Sequence, residues 1–234
     1  MSGFPYRTAL IVGAGPGIGA SLARQLVAQG VRVALGARDI ARLRPLAADI
    51  GALAFEADAA DPASVAELFA CAEWANGPAD VVVYNAASRP ARASILALDP
   101  RQVGADLAAS AYGGFLVVQQ AALRMAPARH GCIVLSGATA SVKGFADSAP
   151  LAMGKFALRG LAQSAARELG PQGIHVAHIV IDALVRSATR ADPPARPDST
   201  LDPEAIARSY LAVMRQERCA WSHEIDLRPW VGPF

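Results

Sequence analysis

The stretch Thr8-Ala9-Leu10-Ile11-Val12-Gly13-Ala14-Gly15-Pro16-Gly17-Ile18-Gly19 decides the fold of this chain. Its first part, Thr8–Val12, is a short run of mainly branched apolar residues without polar alternation, which reads as a strand buried on both faces. Glycines at 13, 15, 17 and 19 follow at once. Glycine lets the backbone turn tightly and approach a pyrophosphate, and a helix that opens there offers unpaired N–H groups to the negative charge. A glycine triplet alone is equally compatible with an ordinary tight turn. What separates the two readings is whether the glycines sit between a strand and a helix in a chain that goes on alternating them.

The chain does alternate. Ile18, Leu22 and Leu26 recur at helical spacing, as do Val65, Leu68 and Phe69 before Asn76-Gly77-Pro78 ends that helix. Further apolar runs at Val31–Leu35, Leu53–Phe55, Val81–Tyr84, Cys132–Leu135 and Val176–Ile181 read as strands, with Pro203–Gln216 as a helix and Glu224–Leu227 as a last strand. Right-handed crossovers between such elements give an α/β fold: one doubly wound, Rossmann-like parallel sheet of about seven strands, with helices on both faces. Residues 1–234 form a single domain in this reading. Residues 187–203, crowded with Pro193, Pro194 and Pro197, read as a flexible lid loop.

Composition bounds the function. Hydrophobic residues make up 53% of the 234 and charged residues 18%, enough for a large core and too little charge for a disordered chain. The net charge of +2 comes without a dense Lys/Arg block, so nucleic acid is not an expected partner. Apolar runs break well before the roughly 20 residues that a membrane span needs, and Met1–Arg7 is no secretory core, so a cytoplasmic protein without membrane contact is expected. Cys71, Cys132 and Cys219 are odd in number and widely spaced, which reads as buried reduced thiols. His175 and His178 lie three apart in a strand, on opposite faces, and read as one surface and one packed histidine with no shared metal.

Longer motifs fall in order along nearly the whole chain. The spacing of Gly13, Gly17 and Gly19, then Asp58-Ala59, Tyr84-Asn85-Ala86-Ala87, Gly113-Gly114-Phe115 with Gln119, Lys155–Leu161, Arg167–Pro171 and Gly173–Val176 together resemble the short-chain dehydrogenase/reductase family. The segments Ser136–Ala140 and Glu224–Trp230 look like a divergent bacterial subgroup. The resemblance implies a dinucleotide site built from Gly13, Gly15, Pro16, Gly17, Ile18 and Gly19, with Asp58 and Ala59 at the adenine, and Asn85, Ala86, Lys155 and Ile181 further along the cofactor. It also implies a homodimer or homotetramer assembled through the helices around Asp106–Met125 and Ala152–Leu169; the apolar tail offers Trp230 for a second contact.

Cofactor choice is read at the end of the second strand, where an acid binds the ribose diol of NAD and a base binds the 2′-phosphate of NADP. Here the acidic position falls on Ala37 and Arg38 follows, which favours NADP(H) over NAD(H) because a guanidinium suits phosphate. The catalytic end departs from the family. With Lys155 as anchor, the family's tyrosine falls on Leu151, its serine on Ala138 and its asparagine on Ser110, leaving only Lys155. A leucine has no proton to give a developing alkoxide. Thr139 and Asp182 are the substitute candidates; the family's Pro-Gly beside the nicotinamide falls on Ile181-Asp182. Two functions stand at this point: an oxidoreductase acting on an unidentified carbonyl or alcohol through a non-standard proton donor, and a catalytically inactive dinucleotide-binding protein with a regulatory or assembly role.

Overall fold

In a computed structural model, which describes residues 3–86, 88, 92–187 and 189–232, the alternation expected from the sequence is realised as a sheet whose strands all run parallel. The strands are β1 (Thr8–Val12), β2 (Arg32–Ala37), β3 (Leu53–Glu56), β4 (Val81–Tyr84), β5 (Gly131–Ser136), β6 (Ile174–Ile181) and β7 (Glu224–Leu227). Their spatial order is β3-β2-β1-β4-β5-β6-β7. The chain therefore winds outward from β1 in one direction and then, from β4, in the other. In such sheets the crevice where the order reverses, at the carboxyl ends of the strands, is the ligand site.

One face carries α1 (Ile18–Ala28), α2 (Ile40–Ile50) and α7 (Pro203–Met214), which bury Leu22, Leu26, Leu43 and Tyr210. The other carries α3 (Pro62–Asn76), α4 (Pro100–Leu107), α5 (Gly113–Ala128) and α6 (Ala149–Leu169), with Leu68, Phe69, Val117 and Leu158 at its core. Because side chains alternate across a strand, neighbours in β1 feed opposite cores: Ile11 joins the first and Leu10 the second. That is why the central strands β1 and β4 are almost wholly apolar.

Three helices start at Asp-Pro pairs. Asp61, Asp99 and Asp202 each accept a hydrogen bond from the backbone N–H two residues on, at 3.0–3.1 Å, and the proline that follows needs no hydrogen-bond partner. α1 has no side-chain cap; Gly17 stands in that place.

The structure departs from the expectations above in some details. The helix expected around 106–125 is α4 and α5 joined by a π-type turn over Ala108–Tyr112, which admits one extra residue where Ser110 meets α6. At the crossing that follows, a Cβ on Gly113 would lie 2.6 Å from the Ala59 carbonyl oxygen, and one on Gly114 would lie 2.4 Å from Leu158 Cδ1. α7 ends at Met214 rather than Gln216, and β6 starts at Ile174 because its ladder with β5 extends back to Gly131. Neither histidine of β6 is on the surface. His175 is buried and stacked on Trp221 at 4.8 Å, because β7 and the turn before it cover that edge. Of the three cysteines only Cys132 is buried; Cys71 is half-buried and Cys219 is exposed on a short turn before β7. Between Ile181 and Pro203 the described chain has only isolated bridges, Val185 with Leu201 and Ser187 with Arg190; Ala188 of the expected lid lies outside the described residues, as do Ala87 and the tail residues Pro233 and Phe234. No described helix is long and apolar enough to cross a membrane.

Candidate active site

The glycine loop leaves β1 beneath the ends of β2 and β4. Gly13 has φ +81°, and a Cβ there would sit 2.2 Å from the backbone nitrogen of Ala86, so only glycine fits where the two strand ends meet. The Asn85 side chain locks the same junction by donating to the Gly13 carbonyl at 3.0 Å. Gly19 is the tight packing contact, with Ala14 Cα 2.9 Å from its would-be Cβ. Gly15 and Gly17 face open space instead. Among the described residues no protein acceptor takes the N–H of Gly15, Gly17, Ile18 or Gly19, whereas Ala20 and Ser21 already bond back to the Gly15 and Gly17 carbonyls. An uncapped helix start with open backbone above it is the cradle a pyrophosphate needs. Pro16 lies at the tip of this loop and has no N–H to offer.

Beside the cradle, a small cavity is lined by Gly13, Arg38, Asp58, Ala59 and Ala86, at the ends of β1 to β4. Arg38 is exposed and has no side-chain partner among the described residues. Asp58 is held in place by its own turn, its carboxylate accepting from Ala60 N–H at 2.9 Å and its N–H donating to Ser64 Oγ at 2.9 Å. The structure thus brings together the residues that the sequence assigned to the adenosine half of a dinucleotide.

At the other end of the crevice, Lys155 is buried in α6 and its Nζ donates to the Ser136 carbonyl at 2.7 Å, at the end of β5. Burial pushes the ammonium down to about 8. Leu151 lies one helical turn before it, partly exposed. Ser110 is buried and its hydroxyl donates to the Asp106 carbonyl at 2.6 Å; it packs so tightly on Gly154 that a Cβ there would lie 2.1 Å from Ser110 Oγ. Ser110 therefore serves the contact between α4 and α6. Ala138 sits in extended backbone just after β5, its N–H donating to Ser141 Oγ at 3.1 Å.

A cavity of about 710 Å³ opens above these strand ends, with Thr139 and Asp182 in its floor and residues 190–200 as its outer wall. The Thr139 hydroxyl has no protein partner among the described residues, while its carbonyl accepts from Val142 and Lys143. Asp182 pairs with Arg228 at 3.2 Å and its N–H bonds to the Leu227 carbonyl, which ties the end of β6 to β7; Ile181 beside it is buried in the sheet. One network was invisible in the sequence. His178 bonds Glu224 at 2.9 Å, and Glu224 takes both Arg159 Nε and Nη2, at 2.7 and 2.6 Å. Burial keeps the His178 imidazole below its ordinary range despite that carboxylate, and the Arg159 fork holds Glu224 below its own.

With this geometry the chain belongs to the short-chain dehydrogenase/reductase family, and its fold and relatives are those of an NAD(P)-binding oxidoreductase. Residues 13–211 match the family model described as Enoyl-(Acyl carrier protein) reductase. L-rhamnose 1-dehydrogenase (NAD(P)(+)) of Azotobacter vinelandii is 33% identical over 201 residues, covering 80% of this chain and 76% of that protein. A short-chain dehydrogenase from Rhodopseudomonas palustris superposes with a TM-score of 0.81 at 32% identity, covering 97% of this chain and 100% of that one. A metagenomic short-chain oxidoreductase solved with NADP superposes at 0.85 with 26% identity, covering 99% and 100%.

Proposed function

We propose that this protein is an NADP(H)-dependent oxidoreductase that interconverts a carbonyl and an alcohol on a small molecule without the family's usual proton donor. The observation that carries the reading is the open N–H cradle of Gly15–Gly19 beside Arg38, with Ala37 where a diol-binding acid would stand. Bound NADPH would supply the hydride, and a proton must reach the substrate oxygen. The loop and the start of α1 hold the pyrophosphate, Arg38 the 2′-phosphate and Asp58 the adenine edge. An ammonium has three donors; Ser136 takes one from Lys155, which leaves two for the ribose. Ala138 and Leu151 stand at the serine and tyrosine positions and carry no exchangeable side-chain proton. Of the two substitutes, the Asp182 carboxylate is engaged by Arg228, while the Thr139 hydroxyl is open to the cavity. We assign Thr139 to hold the substrate oxygen and relay a proton from solvent, with residues 187–203 as the lid above it.

Arg38→Ala is expected to weaken NADPH roughly 10- to 100-fold while leaving NADH nearly unchanged, since it removes one charge-assisted phosphate contact. Calorimetry on both nucleotides checks this, beside single-turnover oxidation of bound NADPH with a panel of carbonyls. Tighter NADH than NADPH binding by the native protein would overturn the cofactor assignment, and nucleotide binding with no turnover on any carbonyl would overturn the enzyme.

The same reading includes a homo-oligomer. A groove between α5 and α6, lined by Phe115, Ala122, Leu123 and Leu161, runs along a face where Phe115, Leu123 and Phe156 are exposed. Apolar faces of this kind mark interfaces. Light scattering at micromolar concentration should give a dimer or tetramer, with Trp230, 84% exposed, available for the second contact. A single species at the chain mass of 24.2 kDa is the result that rejects it.

A further inference from the structure

We propose that the large cavity takes a substrate with an apolar body and an anionic end, a carboxylate, sulfonate or phosphate, held by Arg190 and Arg196. The proposal rests on the reading of that cavity as the substrate site. The cavity wall holds the cations Lys143, Arg190, Arg196 and Arg228 against a single carboxylate, Asp182. Asp182 is already paired with Arg228 at 3.2 Å, and Arg228 also approaches Asp226 at 3.8 Å. Among the described residues no carboxylate forms an ion pair with Lys143, Arg190 or Arg196.

Neither acid of the outer segment, Asp192 or Asp198, forms an ion pair with an arginine of the cavity. Asp192 takes Arg186 at 2.9 Å and both the N–H and hydroxyl of Thr200, at 2.8 and 2.6 Å. Asp198 faces Trp230 Nε1 at 3.5 Å. The segment thus neutralises Arg186, which is not on the cavity, and leaves the two arginines that are. Like charges gathered on one wall repel each other, and a bound anion is the counter-charge that relieves them. Arginine's planar fork matches a carboxylate or phosphate in two-pronged fashion.

The rest of the wall sets the other half of the ligand. Val142, Phe145, Leu184 and Pro193 are apolar, so the body of the ligand is apolar too. A cavity of about 710 Å³ is of the size that holds a small molecule. Thr139 and Asp182 follow β5 and β6 directly, whereas Arg190 and Arg196 come from the segment above, so the ligand's reactive carbon and its charge lie at opposite ends. Arg38 lines a different cavity and none of residues 13–19 lines this one, so the nucleotide phosphates do not account for the arginines here.

The test is calorimetric binding of octanoate and octan-1-ol to protein saturated with NADPH, whose own affinity is measured first. Octanoate should bind at least about tenfold more tightly than octan-1-ol, the size expected of a charge-assisted contact, and raising sodium chloride should erode the difference. Arg190→Ala/Arg196→Ala should lose that preference while its melting temperature and NADPH affinity are retained. Equal binding of the two probes, or a double variant that binds octanoate as tightly as the native protein, would falsify the proposal. Should NADPH fail to bind while octanoate binds in an Arg190- and Arg196-dependent way, the cofactor reading falls and the anion site stands.

Discussion

Ala138→Ser combined with Leu151→Tyr is expected to raise NADPH-dependent reduction of a small activated diketone or quinone by roughly 10²–10⁴-fold, the range of general acid catalysis. Leu151 is one turn before Lys155 on α6, so a phenol there shares the helix face of an ammonium. That ammonium sits at about 8 and its charge favours phenolate, which brings the phenol toward neutrality as an acid. Ala138 immediately precedes Thr139 of the cavity lining, and in the proposed reading a hydroxyl at that position is expected to meet the substrate oxygen. Initial rates with native protein, each single variant and the pair decide the matter. Native protein as fast as the double variant would mean that a proton donor already operates, with Thr139→Val the next variant to measure. A folded, NADPH-binding double variant with no activity on any such carbonyl would mean that Ile181, Asp182 and the lid close the cavity to them.

The second large effect concerns stability. Lys155 is buried, and its folded-state value of about 8 lies below the ordinary 10.5. In the unfolded chain the ammonium keeps its proton up to its ordinary value, whereas the folded protein releases it near 8. The unfolded state therefore binds more protons across that interval, and the native protein gains stability as pH rises through it. The interval corresponds to about 3 kcal/mol. Methionine does not titrate, so the stability of native protein relative to Lys155→Met should improve by about 3 kcal/mol between pH 7 and pH 10.5. Urea unfolding of both proteins at the two pH values measures it directly. A constant gap between them would show that Lys155 is solvated rather than buried.

What could be read in the sequence was what local periodicity encodes. Thr8–Val12 and Val81–Tyr84 match their strands residue for residue, because such an apolar run has no other use in a sheet covered on both sides, and Glu224–Leu227 does so through the polar–apolar alternation of an edge strand. The glycine loop was equally legible, since Gly13 and Gly19 answer to contacts made within one strand–turn–helix unit or at the next strand end. Long-range register was not. His178 meets Glu224 only because β6 and β7 pair at those two residues, and nothing near either residue announces it. The exposed position of Cys219 follows from the same uncharted edge. Arg190 and Arg196 sit in a proline-rich segment without periodicity, where charge reads as solvated surface until the cavity behind it is seen. Ser110 aligned with a catalytic position, yet its hydroxyl is spent on its own helix at Asp106.

The π-type turn at Ala108–Tyr112 works as an adapter between two fittings that a regular helix would not satisfy together. Within the turn, Ser110 is keyed into the hollow at Gly154; just after it, Gly113 and Gly114 are keyed against Ala59, Tyr84 and Leu158. Removing one residue from the turn would rotate one half of the rod against the other by about 100°, a single step of an α-helix, and would bring a side chain into a slot with room for none. Chain length in these five residues therefore constrains the protein more than the identity of Ala108 or Ala109 does.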